Sequence, residues 1–240
     1  DFFEDSIQKL KSVFKFEEQR GSFTYCGKLV RQFDDFSITV SQKDACTALE
    51  FPDVDLDRRR PQDSPLEVYE ITELRSCIGS VGWIARQTRG DLLVVCSAIA
   101  QGMGAPTYRH ILDARRMVLR AKEGSDRCLV FRSDLGIDLA TCPIVVSADA
   151  SHSNIDCAKT GERIKSQMGF ISMVANDECI NGGQEGRISM FECGSSTIKR
   201  VCRSTLAADT NAALEGIEAG YFHRAVFDEA FHRTFEPQRK

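Results

Sequence analysis

Two acidic residues in apolar surroundings are the residues of this sequence best placed to do chemistry. Asp149 ends the apolar run 143–148, which predicts a buried strand, and Asp209 lies in a segment that predicts a helix over 204–214. A carboxylate is costly to bury unless it is ion-paired, hydrogen-bonded or bound to a metal ion. Two acids brought together from a strand and a helix could hold Mg²⁺, or Mn²⁺, for phosphodiester hydrolysis.

Each of these acids also has an explanation that involves no chemistry. Asp209 near the start of its helix would complement the helix dipole, and Asp149 at the end of its strand would cap the following turn. Small residues share a side of the helix with Asp209, namely Ala212, Gly216 and Gly220. They would let either a sheet or a ligand approach closely, so both interpretations stay open.

A second candidate site is a set of three arginines in the predicted helix 107–122. With 3.6 residues per turn, Arg109, Arg116 and Arg120 fall within one narrow sector, away from the apolar side of the helix. Such a helix could pack on a core with one side and face a phosphate backbone with the other. A solvated helix face explains the pattern equally well.

Length and composition are those of an ordinary globular protein. The chain has 240 residues, enough for one or two domains with a sizeable core. Its net charge of −4 gives no whole-chain sign of nucleic-acid binding, so any such surface must be local. The chain begins at Asp1 without an initiator Met, and we therefore expect a piece of a longer protein.

The ten cysteines are scattered along the chain without a Cys-x-x-Cys pair. Because free cysteine behaves as a small buried hydrophobe, we expect reduced structural cysteines rather than a disulfide framework. No run of 18 consecutive apolar residues occurs, so the sequence predicts no membrane span. We expect an intracellular protein, cytoplasmic or nuclear and not secreted.

Periodicity places these candidates on predicted elements in three regions. Residues 1–50 predict a helix over 2–14 and a hairpin of Ser22–Phe33 with Phe36–Val40. Residues 51–126 predict a charged linker over 51–66 and then a helical region. Its three helices cover 72–87, with Thr72 as N-cap, 91–101, and 107–122.

Residues 127–240 predict a second unit in which consecutive strands are followed by a helix. The strands cover 127–132, 144–149, 168–175 and 187–193, with a possible fifth at 197–202; residues 150–165 predict a loop, and 204–221 a helix. The fold class is therefore α/β or α+β.

Three stretches, in the same order along the chain, resemble the C-terminal part of copia-type LTR retrotransposon Pol polyproteins. The first is Gly21–Lys28 with Ile38–Gln42, the second is Leu74–Ala85 with Thr88–Asp91, and the third is Asp149–Ser151 with Lys165–Phe170 and Arg203–Asp209. Each motif is modest by itself, but the shared order covers nearly the whole chain. In that family this part comprises the end of the reverse-transcriptase palm, a thumb-like region and a ribonuclease H domain.

The resemblance implies a ribonuclease H fold over about 136–240, with a central mixed sheet and flanking helices. It implies that Asp149 is the first metal-binding carboxylate and that Asp209 occupies the place of the family's helix glutamate. Two Mg²⁺ ions would then support hydrolysis of RNA in an RNA–DNA hybrid. The three arginines would follow the hybrid backbone, and two more basic residues would add phosphate contacts, Lys199 and Arg200. The rest of the parent polyprotein is a further implied partner.

Departures from the family pattern leave a second hypothesis open. The polymerase motif Tyr-x-Asp-Asp is absent, Gly90 replaces a proline, and Asp209 replaces the glutamate. The family's later ribonuclease H acids have no matched counterpart, which predicts an incomplete ribonuclease H unit. The alternative is a catalytically dead remnant that keeps the fold and binds nucleic acid.

Overall fold

The computed structural model describes residues 2–57, 59–139, 141–156, 163–183 and 185–232. Its helices are α1 (Phe2–Val13), α2 (Lys43–Ala48), α3 (Val68–Gln87), α4 (Leu93–Gln101), α5 (Tyr108–Glu123), α6 (Asp177–Ile180) and α7 (Thr205–His232). Its strands are β1 (Ser22–Tyr25), β2 (Lys28–Gln32), β3 (Ile38–Ser41), β4 (Cys128–Phe131), β5 (Val145–Asp156), β6 (Arg163–Ala175) and β7 (Ile188–Thr197). Helices and antiparallel sheets together confirm the mixed α/β class. None of the described helices has the length and apolar character needed to cross a membrane.

The N-terminal sheet has the antiparallel order β1-β2-β3-β4. The prediction of one strand over 22–33 was wrong, because Cys26 and Gly27 form a two-residue turn between β1 and β2. Both have positive φ, 47° and 69°, as the tightest hairpin turns require. Trp83 lies so close to Gly27 that a Cβ atom there would meet its ring at 2.7 Å. Glycine is therefore needed for both the turn and the packing.

The fourth strand of this sheet comes from beyond the helical region. β4 pairs with β3 from Ile38 opposite Phe131 to Ser41 opposite Cys128. The sequence assigned this strand to the C-terminal unit, with a boundary at residue 127. Its hydrogen-bonded pairing instead ties it to the sheet formed by the first 41 residues.

The helical region confirms the three helices predicted between the sheets. The first begins earlier than predicted, because Glu67 caps α3 and forms a capping box with Glu70, so Thr72 is not the N-cap. Helices α2 to α5 enclose one continuous apolar core, in which Leu74, Val81 and Ile111 are fully buried.

Arg60 anchors part of the linker before α3 through contacts with Glu70 and Tyr108. It donates a 3.0 Å hydrogen bond to Glu70, whose side chain is only 1% exposed. Its guanidinium also lies 4.8 Å from the centre of the Tyr108 ring. Arg60 is therefore neither a solvated charge nor a free phosphate ligand. Arg58 belongs to the same run of three arginines, 58–60, but lies outside the described residues.

The C-terminal sheet has the antiparallel order β5-β6-β7, and α7 lies across one of its faces. The helix approaches closely because Gly216 has no side chain: a Cβ there would lie 2.7 Å from Val146. β5 continues to Asp156 and β6 begins at Arg163, so the predicted loop over 150–165 was wrong at both ends; residues 157–162 lie outside the described residues. No strand occupies 198–202, and α7 extends past the predicted end.

Candidate nucleic-acid interface

Asp149 lies in the middle of β5 rather than at its end. It is exposed and stands directly opposite Gly169 of β6. Successive side chains of a strand point to opposite faces of the sheet, so Asp149 shares a face with Ser147 and Ser151. Among the described residues, none forms a hydrogen bond or an ion pair with its carboxylate.

Asp209 belongs to the other face of the same sheet. Its helix α7 packs on the face that carries Val146 and Ala148, as the contacts of Gly216 show. Asp209 itself is exposed on α7. Asp149 therefore points away from the face of the sheet on which the helix of Asp209 packs.

This separation decides how well the site fits a magnesium ion. An ion shared by Asp149 and Asp209 does not fit this arrangement, because the sheet lies between Asp149 and the helix that carries Asp209. Within the described part of the chain, no three side chains of His, Cys, Asp or Glu lie close enough together to hold a metal ion. Binding of Mg²⁺ or Mn²⁺ at either acid stays a prediction.

The three arginines of α5 do share one exposed side of the helix, here called the arginine face. The exposed fractions of the side chains are 64% for Arg109, 76% for Arg116 and 56% for Arg120. Asp113 lies among them, 2.9 Å from Arg116 and 4.0 Å from Arg109. The face is therefore basic, with one carboxylate that orders two of its guanidinium groups.

Arg120 also takes part in a second group of charges, the Asp91 cluster, which consists of Asp91, Arg89, Arg120 and Arg127. The Asp91 carboxylate lies 2.8 Å from Arg89, 2.9 Å from Arg127 and 3.7 Å from Arg120. The hydrogen bond from Arg89 lowers the pKa of Asp91, although partial burial opposes the shift. Asp91 therefore stays ionised, and three guanidinium groups share one negative charge.

Arg89 is the buried anchor of this cluster, with a side chain only 1% exposed. Besides Asp91, it donates to the carbonyl oxygens of Ala121 and Gly124 at 2.9 and 2.8 Å. Those carbonyls belong to the C-terminal end of α5, where backbone acceptors lack helical partners. Arg89 thereby fixes the end of the helix that carries the arginine face.

Sequence reasoning missed Asp91 and Arg127 as site residues. The segment Thr88–Asp91 stood out only as part of the resemblance, and Arg127 follows 36 positions after Asp91. Nothing in the local spacing indicates that they meet, because the loop after α5 and the turn after α3 converge only in the folded chain.

Lys199 and Arg200 lie on a different element. Both are exposed in the turn between β7 and α7, directly after the buried Ile198. They are accessible to a phosphate group, but the structure places them on a different segment from the arginine face.

A groove joins the Asp91 cluster to the C-terminal sheet. One wall is the turn after α3 with the start of α4, from Thr88 to Val94, and the other is Arg127–Leu129. The floor is the face of the sheet that carries Asp149. This sheet groove has a volume of about 620 Å³.

Comparisons with known proteins add no relative to this description. No protein-family model matches the chain, and no curated protein or solved structure does so.

Proposed function

We propose that this chain is part of a copia-type retroelement polyprotein and that it binds nucleic acid, in the first place an RNA–DNA hybrid, along the arginine face. The exposed alignment of Arg109, Arg116 and Arg120 is the observation that carries the proposal. The reverse-transcriptase and ribonuclease H-like assignments rest on the resemblance. The three antiparallel strands followed by α7 agree with the start of a ribonuclease H-like unit.

The charges of this surface suit a phosphate backbone. Four exposed arginines, the arginine face and Arg127, accompany two carboxylates, Asp113 and Asp91, which leaves a local excess of positive charge. Exposed ion pairs contribute only about 0–1 kcal/mol, so phosphate oxygens can replace Asp113 as the partner of Arg109 and Arg116 at little cost. Guanidinium groups also bind phosphate through paired hydrogen bonds.

Binding without hydrolysis is better supported than two-metal cleavage. Two-metal chemistry needs carboxylates that hold both ions beside the scissile phosphate, whereas Asp149 and Asp209 lie on opposite faces of the sheet. DNA synthesis and RNA hydrolysis by a parent polyprotein follow from the resemblance alone. The alternative of a catalytically dead remnant therefore becomes the proposed state of this chain.

The test is the affinity for a short labelled RNA–DNA hybrid, measured by fluorescence anisotropy at several salt concentrations. Each phosphate contact contributes about 0.9 to the slope of log K against log salt. Arg116→Gln should weaken binding and reduce that slope by about one. The matched control is Arg75→Gln, which removes an exposed arginine from α3. Equal losses in both variants, or no binding by the wild type, would refute the interface.

A further inference from the structure

The floor of the sheet groove has one position without a side chain. Gly169 of β6 contributes no side chain there, and its neighbours across the sheet are Asp149 on β5 and Ser195 on β7. Ser195 is already engaged: it accepts from Gln167 at 2.7 Å and donates to the carbonyl of Met168 at 3.2 Å. Within the described chain, Asp149 is the member of this row whose polar atoms are without a partner.

Apolar side chains line the rest of the groove. Ile171 and Val94 both line it. Ile171 is 40% exposed and Val94 is 56% exposed. Met190 and Leu129 also contribute to the lining. Exposed apolar surface beside Gly169, which has no side chain, favours a flat ring. Such a ring covers that surface without displacing any side chain.

The mouth of the groove is basic. Arg127 lines it, with 63% of its side chain exposed, and Arg120 contacts the same oxygen of Asp91 as Arg127. Because three guanidinium groups share the single charge of Asp91, the cluster retains an excess of positive charge. Such a pair of exposed arginines is suited to a phosphate group.

These three features together define the ligand. A phosphate at one end and a flat ring at the other describe a nucleotide, and the groove volume of about 620 Å³ is that of a small-molecule site. The ring meets the Asp149 carboxylate, whose two oxygens serve as hydrogen-bond acceptors. Among the bases, guanine presents two adjacent donors, N1–H and the 2-amino group. Adenine and cytosine each place a ring acceptor beside their amino group.

We propose that the sheet groove binds one unpaired guanine nucleotide of a single strand, with Arg120 and Arg127 on its phosphate and Asp149 on its Watson–Crick edge. This inference rests on the proposed nucleic-acid binding and adds base selection by a different surface. It gives Asp149 the role of a specificity residue that needs no metal ion. A hybrid cannot use the site, because its guanine edges are paired.

The experiment compares labelled uridine oligonucleotides that carry one guanine or one adenine, with GMP, AMP and inorganic phosphate as competitors. The wild type should prefer the guanine strand about tenfold, within the range for one bidentate base contact. GMP should compete better than AMP or phosphate, and the strand should bind more tightly than GMP because it also reaches the arginine face. Arg127→Gln should weaken both strands and leave their ratio unchanged.

Asp149→Asn decides the assignment, because it keeps the shape of the side chain and adds a donor. The guanine preference should disappear in this variant and persist in Asp55→Asn, which changes an exposed acid in the linker. A guanine preference that survives Asp149→Asn would overturn the proposal. Phosphate that competes as well as GMP would also overturn it.

The two proposals fail separately. Loss of hybrid binding in Arg116→Gln together with equal binding of the two strands would leave the interface standing and refute the groove. A guanine preference without hybrid binding would do the reverse.

Discussion

The helical region and the C-terminal sheet are built on very different cores. Helices α2 to α5 share one continuous core, in which side chains such as Leu74, Val81 and Val118 are fully buried. In the described part of the C-terminal region there are two small apolar clusters: Leu135, Cys142 and Val174 form one, and Ile198, Cys202 and Ala208 form the other. Because apolar burial is the main favourable term in folding, the helical region should be the more stable of the two.

The same contrast appears on the surfaces. The exposed fractions are 74% for Leu206, 52% for Ile217 and 64% for Tyr221, on the side of α7 that faces away from the sheet. α7 is thus apolar on two sides, whereas α5 has one apolar side and one arginine side. The exposed surface of the helical region is therefore basic at α5, whereas that of the C-terminal region is apolar at α7.

The largest loss in the free energy of unfolding should come from removing Arg89, the buried charge of the helical region. Arg89→Ala leaves Asp91 without its closest partner and removes one donor each from the carbonyls of Ala121 and Gly124 at the end of α5. Breaking a buried pair in this way costs about 3–5 kcal/mol. Urea unfolding followed by the fluorescence of Trp83, the single tryptophan, measures the loss. The control, Arg132→Ala, breaks an exposed pair with Asp134 and should change little; equal effects would contradict the comparison.

A matched pair of cavity substitutions tests the two cores directly. Leu74→Ala, at a fully buried position of the helical core, should fall at the upper end of the range of about 2–5 kcal/mol. Leu135→Ala, in a small C-terminal cluster, should fall at the lower end, because its surroundings can collapse into the space. Hydrogen exchange resolved by peptide reports each region separately. A larger loss for Leu135→Ala would reverse the assignment of the stable region.

Lowering the pH should remove the stabilisation that α3 gains from the ion pair between Glu70 and Arg60. The hydrogen bond from Arg60 lowers the pKa of the Glu70 carboxyl, against the opposing effect of burial. A carboxyl with a lowered folded-state pKa adds stability above its unfolded pKa, about 4.3, and loses it as pH falls through the folded-state value.

Glu70→Gln should therefore cost about 2 kcal/mol at neutral pH, the size of a hydrogen bond to a charged group. The difference from the wild type should shrink as pH falls below about 4. Urea unfolding of both proteins across this range gives that difference directly. A gap that stays constant with pH would show that the ion pair does not stabilise α3.

The smallest effect should come from the outer side of α7. Ile217→Lys changes an exposed position and should alter the free energy of unfolding by no more than about 0.5 kcal/mol. Ala212→Lys, on the buried side of the same helix, should destabilise strongly because it places a charge against the sheet. The two thermal midpoints decide the matter. Similar losses would mean that both sides of α7 are covered.

Local patterns were sufficient for α3, α4 and α5, but they predicted neither α2 nor α6. Apolar spacing and the glycines after α4 predict α3 to α5 within a few residues, since each helix buries one side in a common core. The hairpin turn carried a signal that was overlooked, because Gly27 interrupts an otherwise continuous strand pattern. The extension of β5 beyond Asp149 could not be seen, since its polar continuation has the composition of a loop.

The candidate site was only partly accessible to sequence reasoning. The helix period places the three arginines on one side of α5, and the structure agrees. The strand period also says that Asp149 and Val146 point to opposite faces, but not which face α7 will cover. That choice is made by the path of the chain from β7 to α7. The meeting of Asp91 with Arg127 likewise depends on tertiary structure.

Cleavage of a labelled RNA–DNA hybrid, with Mg²⁺ or Mn²⁺ present, tests the central claim most directly. The wild type, Asp149→Asn and Asp209→Asn should be compared, with hybrid binding measured in the same samples. Because the two acids lie on opposite faces of the sheet, all three proteins should bind the hybrid and leave it intact. The contrary result is metal-dependent cleavage by the wild type that is lost in each of the two variants. It would show that the two acids act together and would contradict the account.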